Sequence, residues 1–245
     1  HITKRFSAEW GPPVPKLREY IESMRAIWAT WQNGTPLRYE GEHYKFTLMT
    51  PFFAPNAMPY ADIPIYIAGV NEGLCRLAGE LCQGFHVHAL HTPRYLRELI
   101  LPNIEAGAAK AGRKRKDISL NCAIFVVTGK TDEEIRNNAI LVKSQIAFYA
   151  STPSYEAVLE MHGWQEVGQR LNVMSRAGRW AEMWQEISDE MLEEFAVVAP
   201  EADLARKVKD RYSGLLDRIG YYFPFKPEET DRQALWQDAA KVFTV

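Results

Sequence analysis

The chain has 245 residues, of which 47% are hydrophobic and 24% charged, and its net charge is −2. This is the composition of a globular protein, and the near-neutral charge supplies no basic field for nucleic acid. No apolar run approaches the roughly 18 residues a membrane span needs and no signal peptide is visible, so a cytoplasmic protein is expected.

The elements follow in chain order. Residues 14–32 carry Leu17, Tyr20, Ile21, Met24, Ile27, Trp28 and Trp31 at the spacing of one helical face, and Asn33-Gly34 ends the helix. Residues 37–46 alternate around Gly41 and predict a small hairpin. Pro51, Pro55 and Pro59 make 50–62 an irregular loop, and its Phe52, Phe53 and Tyr60 predict that it packs against something, as a pocket wall or a surface cover. A strand at 63–69, a helix at 72–82 and a strand at 84–90 follow. A helix covers 93–111 and a long strand 118–129. Thr131-Asp132-Glu133-Glu134 is a capping signal for a helix reaching Ala150. Residues 154–161 predict a short helix, 171–192 a helix broken near Gly178, and 195–198 a short apolar segment. A helix at 202–212, a strand at 218–223 and a helix at 231–242 complete the chain.

Strands alternating with helices imply a parallel sheet with right-handed crossovers. Four convincing strands are half of what a closed (β/α) barrel needs. The whole of 1–245 reads as one domain. Cys75, Cys82 and Cys122 match no zinc spacing, and their odd number argues against a disulfide framework, so buried thiols are expected. The basic run Arg113 to Lys116 follows a helix end, where cations suit the dipole.

The stretch Ile63 to Leu90 carries the chemistry. A buried strand ends at Ala68-Gly69, and the loop Val70-Asn71 opens a helix, the place where α/β proteins put phosphates and cofactors. An ordinary strand-to-helix turn has the same residues. His86 and His88 share one face of the next strand.

Several segments resemble the luciferase-like monooxygenase superfamily, and within it the actinobacterial branch of coenzyme F420-dependent oxidoreductases. LREYIESMRAIW (17–28) is similar to the family's helix with an Arg-x-x-Trp signature, here Arg25 and Trp28. Tyr39-x-Gly41-x-x-Tyr44 resembles its hairpin insertion, and PIYIAGVN (64–71) its fifth barrel strand. GFHVHALHTPRYL (84–96) resembles the sixth strand with its loop, and IAFYASTPSYEAVLEMHGW (146–164) a segment of this branch. Gln83 stands where the family usually has Asp, and Ala199-Pro200 where Gly-Thr-Pro is common.

The resemblance implies an α/β TIM barrel of the bacterial luciferase type, represented by its C-terminal two-thirds. About one hundred residues ahead of His1 would supply the first four strands and most catalytic groups. It implies an oxidoreductase that moves hydride between reduced coenzyme F420 and an organic small molecule. An FMN-dependent monooxygenase is the alternative. Ala68, Gly69, Val70 and Asn71 would hold the cofactor phosphate, with Gly69 letting it approach the backbone. His86 and His88 would point into the barrel, and His88, nearer the mouth, is the catalytic candidate. A metal-dependent hydrolase on the same barrel would use this His-x-His pair, but the later strand ends offer Thr128 and Phe223 and no further ligands, so no metal is expected. His91 is expected to begin an exposed loop, and Arg94 or Arg97 to be solvated or to reach an anionic tail. Trp164, Trp180, Trp184 and Trp236 are expected to pack, and open sheet edges predict a homo-oligomer.

Overall fold

A computed structural model describes residues 2–226 and 228–243. Helices α1 (Ile2–Phe6) and α2 (Pro13–Asn33) precede a hairpin of β1 (Tyr39–Glu40) and β2 (Lys45–Phe46). Then come β3 (Tyr66–Gly69), α3 (Glu72–Leu81), β4 (Gly84–Val87), α4 (Pro93–Tyr95), α5 (Leu101–Lys110) and β5 (Ser119–Val127). Helices α6 (Asp132–Ala150), α7 (Glu156–Met161), α8 (Gln165–Arg176) and α9 (Asp189–Phe195) lead to β6 (Ala196–Val198). The chain ends with α10 (Glu201–Tyr212), β7 (Arg218–Tyr222) and α11 (Glu229–Phe243).

Every pairing in the main sheet is parallel. Asn121 and Cys122 pair with both β4 and β7, and Phe125 pairs with both β6 and β7. A strand has two edges, so β7 takes one edge of β5 while β4 and β6 share the other. The resulting order β3–β4–β5–β7 is that of four consecutive barrel strands. Among the described residues β3 and β7 are the outer strands, and the sheet does not close.

Alternation sorts the two faces. Phe85, Leu120 and Ile124 are fully buried among the helices, a burial worth about 1.5–3 kcal/mol for each side chain. The opposite face carries Ala68, His86, Asn121 and Arg218 in one register row across the four strands. No helix among the described residues is long and apolar enough to cross a membrane.

Local signals explain most boundaries. Pro13 starts α2, and Gly34, at φ 67°, ends it with its N–H on Thr30 O at 2.9 Å. Arg25 donates to Leu81 O at the end of α3, so the Arg-x-x-Trp arginine ties α2 to α3. Arg18 adds an ion pair to Glu80, which also binds Lys110 of α5. The Arg113 side chain binds the Gly79 and Cys82 carbonyls, so it serves the end of α3 and not that of α5, the helix it follows. Thr131 caps α6 by accepting from the Glu134 N–H at 3.2 Å. All three cysteines are buried and free.

Three expectations are corrected. The helix expected over 93–111 contains a π turn at Leu96–Ile100, just ahead of Pro102, which has no N–H to give to the preceding turn. The helix expected over 171–192 does break at Gly178, at φ 73°, but its first part already begins at Gln165 as α8, a 3-10 turn follows at Trp180–Glu186, and α9 runs on to Phe195. The aromatic loop does not pack down: Phe52 is 89% exposed and Tyr60 83%.

Helices α3 and α5 meet backbone to backbone. A Cβ at Gly79 would lie 2.1 Å from Ile104 O, and one at Gly107 would lie 2.0 Å from Arg76 O. Both atoms are main chain and cannot swing aside. Gly107→Ala is therefore expected to lose at least about 1–3 kcal/mol of stability in urea unfolding, despite alanine's better helix propensity. Unchanged stability would show that the two helices can separate at no cost.

Candidate functional site at the sheet rim

The C-terminal ends of β3 and β4 form a rim. Ala68 is exposed and paired with His86, so both face the open side of the sheet. A Cβ on Gly69 would lie 2.6 Å from Leu74 Cβ. The packing of α3 thus requires the glycine, a constraint additional to any ligand approach. Val70 O accepts a hydrogen bond from the Tyr95 hydroxyl, which pins the loop. Asn71 is the N-cap residue of α3, yet its side chain makes no cap. Its Nδ2 instead donates to Ser154 O at 3.4 Å. Among the described residues the first-turn N–H groups of α3 have no side-chain acceptor. Glu72 in that turn is paired with Arg76 at 2.9 Å, which offsets its charge.

His88 lies just past the end of β4, half-buried. Its Nδ1 accepts from the Leu90 N–H at 3.1 Å, and its Nε2 lies 3.2 Å from Tyr155 Oη. The ring meets Tyr149 edge-on at 4.6 Å and lies against Tyr155 at 4.6 Å. Burial lowers its pKa from the usual imidazole value, which favours the neutral ring. A metal ion on His88 would have to break one of these two hydrogen bonds. Among the described residues no group of three His, Cys, Asp or Glu side chains is placed to hold one.

His91 is not the exposed loop residue expected. It is 1% exposed, and its Nδ1 lies 2.9 Å from His88 O and 3.5 Å from Cys122 Sγ. The cause is local: Thr92 caps the following turn by accepting from the Tyr95 N–H, and Pro93 starts it, so the chain turns inward at His91. Burial pushes the His91 pKa down to about 4.

The structure joins Ala68 to His86 and Asn71 to Ser154, and it surrounds His88 with Tyr149 and Tyr155. Those two tyrosines were not singled out from the sequence. Their signal is the Thr152-Pro153 break that folds the 146–164 segment over the rim. Tyr222 of β7 extends the cluster, with its hydroxyl 3.4 Å from that of Tyr149. Arg94 is committed elsewhere, to Glu98 at 2.9 Å and Met161 O at 2.6 Å. Trp164 stacks on His162 and Trp236 on Tyr221, whereas Trp180 is half exposed. A cavity of about 630 Å³ beside Arg25, Trp28 and Gln83 lies at the opposite, N-terminal ends of β3 and β4.

Comparison with known proteins gives this geometry a context. Residues 1–218 match the luciferase-like monooxygenase family. An uncharacterised protein of Mycobacterium tuberculosis is 40% identical over 235 residues, covering 96% of this chain and 69% of that protein. The 5,10-methylenetetrahydromethanopterin reductase of Archaeoglobus fulgidus is 27% identical over 231 residues, covering 92% of this chain and 65% of that enzyme. Among solved structures, the coenzyme F420-dependent tetrahydromethanopterin reductase of Methanopyrus kandleri superposes with a TM-score of 0.72 at 21% identity. That match covers 97% of this chain and 64% of the reductase, so the chain spans about two-thirds of these relatives.

Burial of His91 links stability to pH. Its folded pKa near 4 lies below the unfolded value of about 6.5, so between these values the unfolded chain binds the extra proton. The contribution is complete above about pH 6.5 and is lost progressively as pH falls toward 4, by roughly 3 kcal/mol in total. Urea unfolding at pH 7, 5.5 and 4.5 should show this decline, and His91→Leu should flatten it. An equal slope in that variant would assign the decline to other groups.

Proposed function

The chain belongs to the luciferase-like monooxygenase family, and from that premise we propose that it serves an oxidoreductase using reduced coenzyme F420 to exchange hydride with a small organic substrate. The observation that carries the reading is the uncapped start of α3 at the C-terminal end of β3, beside His88. Two relatives support the choice of cofactor: in sequence, a protein of Mycobacterium tuberculosis described as a putative coenzyme F420-dependent oxidoreductase, 28% identical over 218 residues, and in fold, the reductase whose solved structure is described as coenzyme F420-dependent.

The residues present fit the anionic part of such a cofactor. Among the described residues no side chain caps the first-turn N–H groups of α3, and the helix dipole adds partial positive charge. Asn71 Nδ2 has one partner, at the long distance of 3.4 Å, and a second hydrogen to give. Arg76 holds Glu72, which would otherwise repel an anion. The deazaflavin supplies the hydride when bound. The protein's part at this rim is to anchor the anionic tail through Asn71 and α3. His88, Tyr149 and Tyr155 line the approach to the open sheet face, with aromatic surface that excludes water.

Fluorescence titration with oxidised coenzyme F420 tests this reading. Saturable binding is expected. Asn71→Asp keeps a good N-cap residue but adds negative charge at the helix start, so stability should hold while affinity falls about tenfold or more. Absence of F420 binding would contradict the cofactor assignment, and tight FMN binding in its place would move the reading to flavin chemistry.

A further inference from the structure

The hydroxyl of Tyr155 has its hydrogen-bonding role set by its neighbour. The Leu90 N–H can only donate, so His88 Nδ1 accepts, and the neutral ring carries its proton on Nε2. That nitrogen is 3.2 Å from Tyr155 Oη. The imidazole therefore donates and the phenol oxygen accepts. The phenol keeps its own proton, and no second hydrogen bond of this hydroxyl occurs among the described residues. Tyr149 and Tyr222 differ, because their hydroxyls face each other. The His88 ring is also held in place, with Tyr149 edge-on and Tyr155 against its face.

We propose that Tyr155 is the ligand-facing hydrogen-bond donor of this rim, that it takes a carbonyl-class oxygen of the organic substrate, and that His88 is its positioning residue. This rests on the reading of the rim as the ligand site, and it revises the role expected for His88. The imidazole does not itself touch the substrate; it fixes the direction of the phenol. Three features favour an uncharged oxygen. Tyr155 is a neutral donor, and burial raises its pKa further. His88 is also held neutral. No Arg or Lys makes a hydrogen bond or ion pair to either residue among the described residues, so the donor itself carries no charged partner.

Long-range 1H–15N correlation spectra of the histidine rings test the proposal on the chain as it stands. Wild-type His88 is expected as the Nε2–H tautomer, and cyclohexanone, used as the carbonyl probe, is expected to shift its Nε2 resonance saturably. Tyr155→Phe is expected to weaken cyclohexanone about tenfold, the worth of one lost hydrogen bond. A ring protonated on Nδ1 overturns the proposal. So does a wild-type His88 resonance unmoved by the ketone, or equal ketone affinity in the folded Tyr155→Phe variant. The tautomer is read in the wild type, so a variant that fails to fold leaves the test intact. Failure of F420 to bind the wild type would strike the cofactor reading instead, and the tautomer and ketone readouts are separate from it.

Discussion

Burial of Phe85 and Val87 in the helix layer decides where the chemistry of this chain can lie. Strand alternation then turns His86 to the opposite face, in register with Ala68 on one side and Asn121 on the other. A shift of one residue would bury the histidine and expose the phenylalanine, so the register is strongly held. Once β4 ends, the chain must turn sharply to reach Thr92 and Pro93. That turn places the Leu90 N–H on His88 and drives His91 into the core. The half-buried imidazole at the rim and the fully buried one beneath it are two results of the same constraint.

The second determinant is the close approach of α3 and α5. Gly79 and Gly107 bring the two backbones together, and Leu74 sits directly over Gly69. The start of α3 is thereby held against the end of β3. Arg25 and Arg113 secure the other end of α3 by binding its last carbonyls. A helix fixed at both ends, with no side-chain cap at its start, is suited to hold an anion without rearrangement.

The elements that follow simple rules could be read in advance. The 3-4-7 spacing of α2, the capping threonine of α6 and the apolar runs of the four barrel strands each carry a local signal. The Ala68–Asn71 loop and the His86–His88 pair stand out for the same reason. What stayed hidden depends on contacts between distant segments. His91 looked exposed because the Thr92-Pro93 turn shows only that the chain bends there, while the Cys122 side chain that receives the ring lies on another strand. The packing role of Gly69 was hidden because it depends on how the Leu74 side chain folds back over β3. Tyr149 and Tyr155 reach His88 from more than 60 positions away, and only the fold brings them there. The aromatic loop misled in the opposite direction: its apolar composition suggested packing, and it is exposed.

We propose that the C-terminal rim of this sheet, and not its opposite end, receives the cofactor. Amide chemical-shift mapping with oxidised coenzyme F420 tests this most directly. The largest shifts should fall on Gly69, Val70, Asn71 and the first turn of α3, with smaller ones at His88 and Tyr155. The N-terminal ends of the strands, at Tyr66, Gly84 and Ser119, should stay still. Shifts centred on the cavity beside Arg25 and Gln83, with the rim unmoved, would contradict the account.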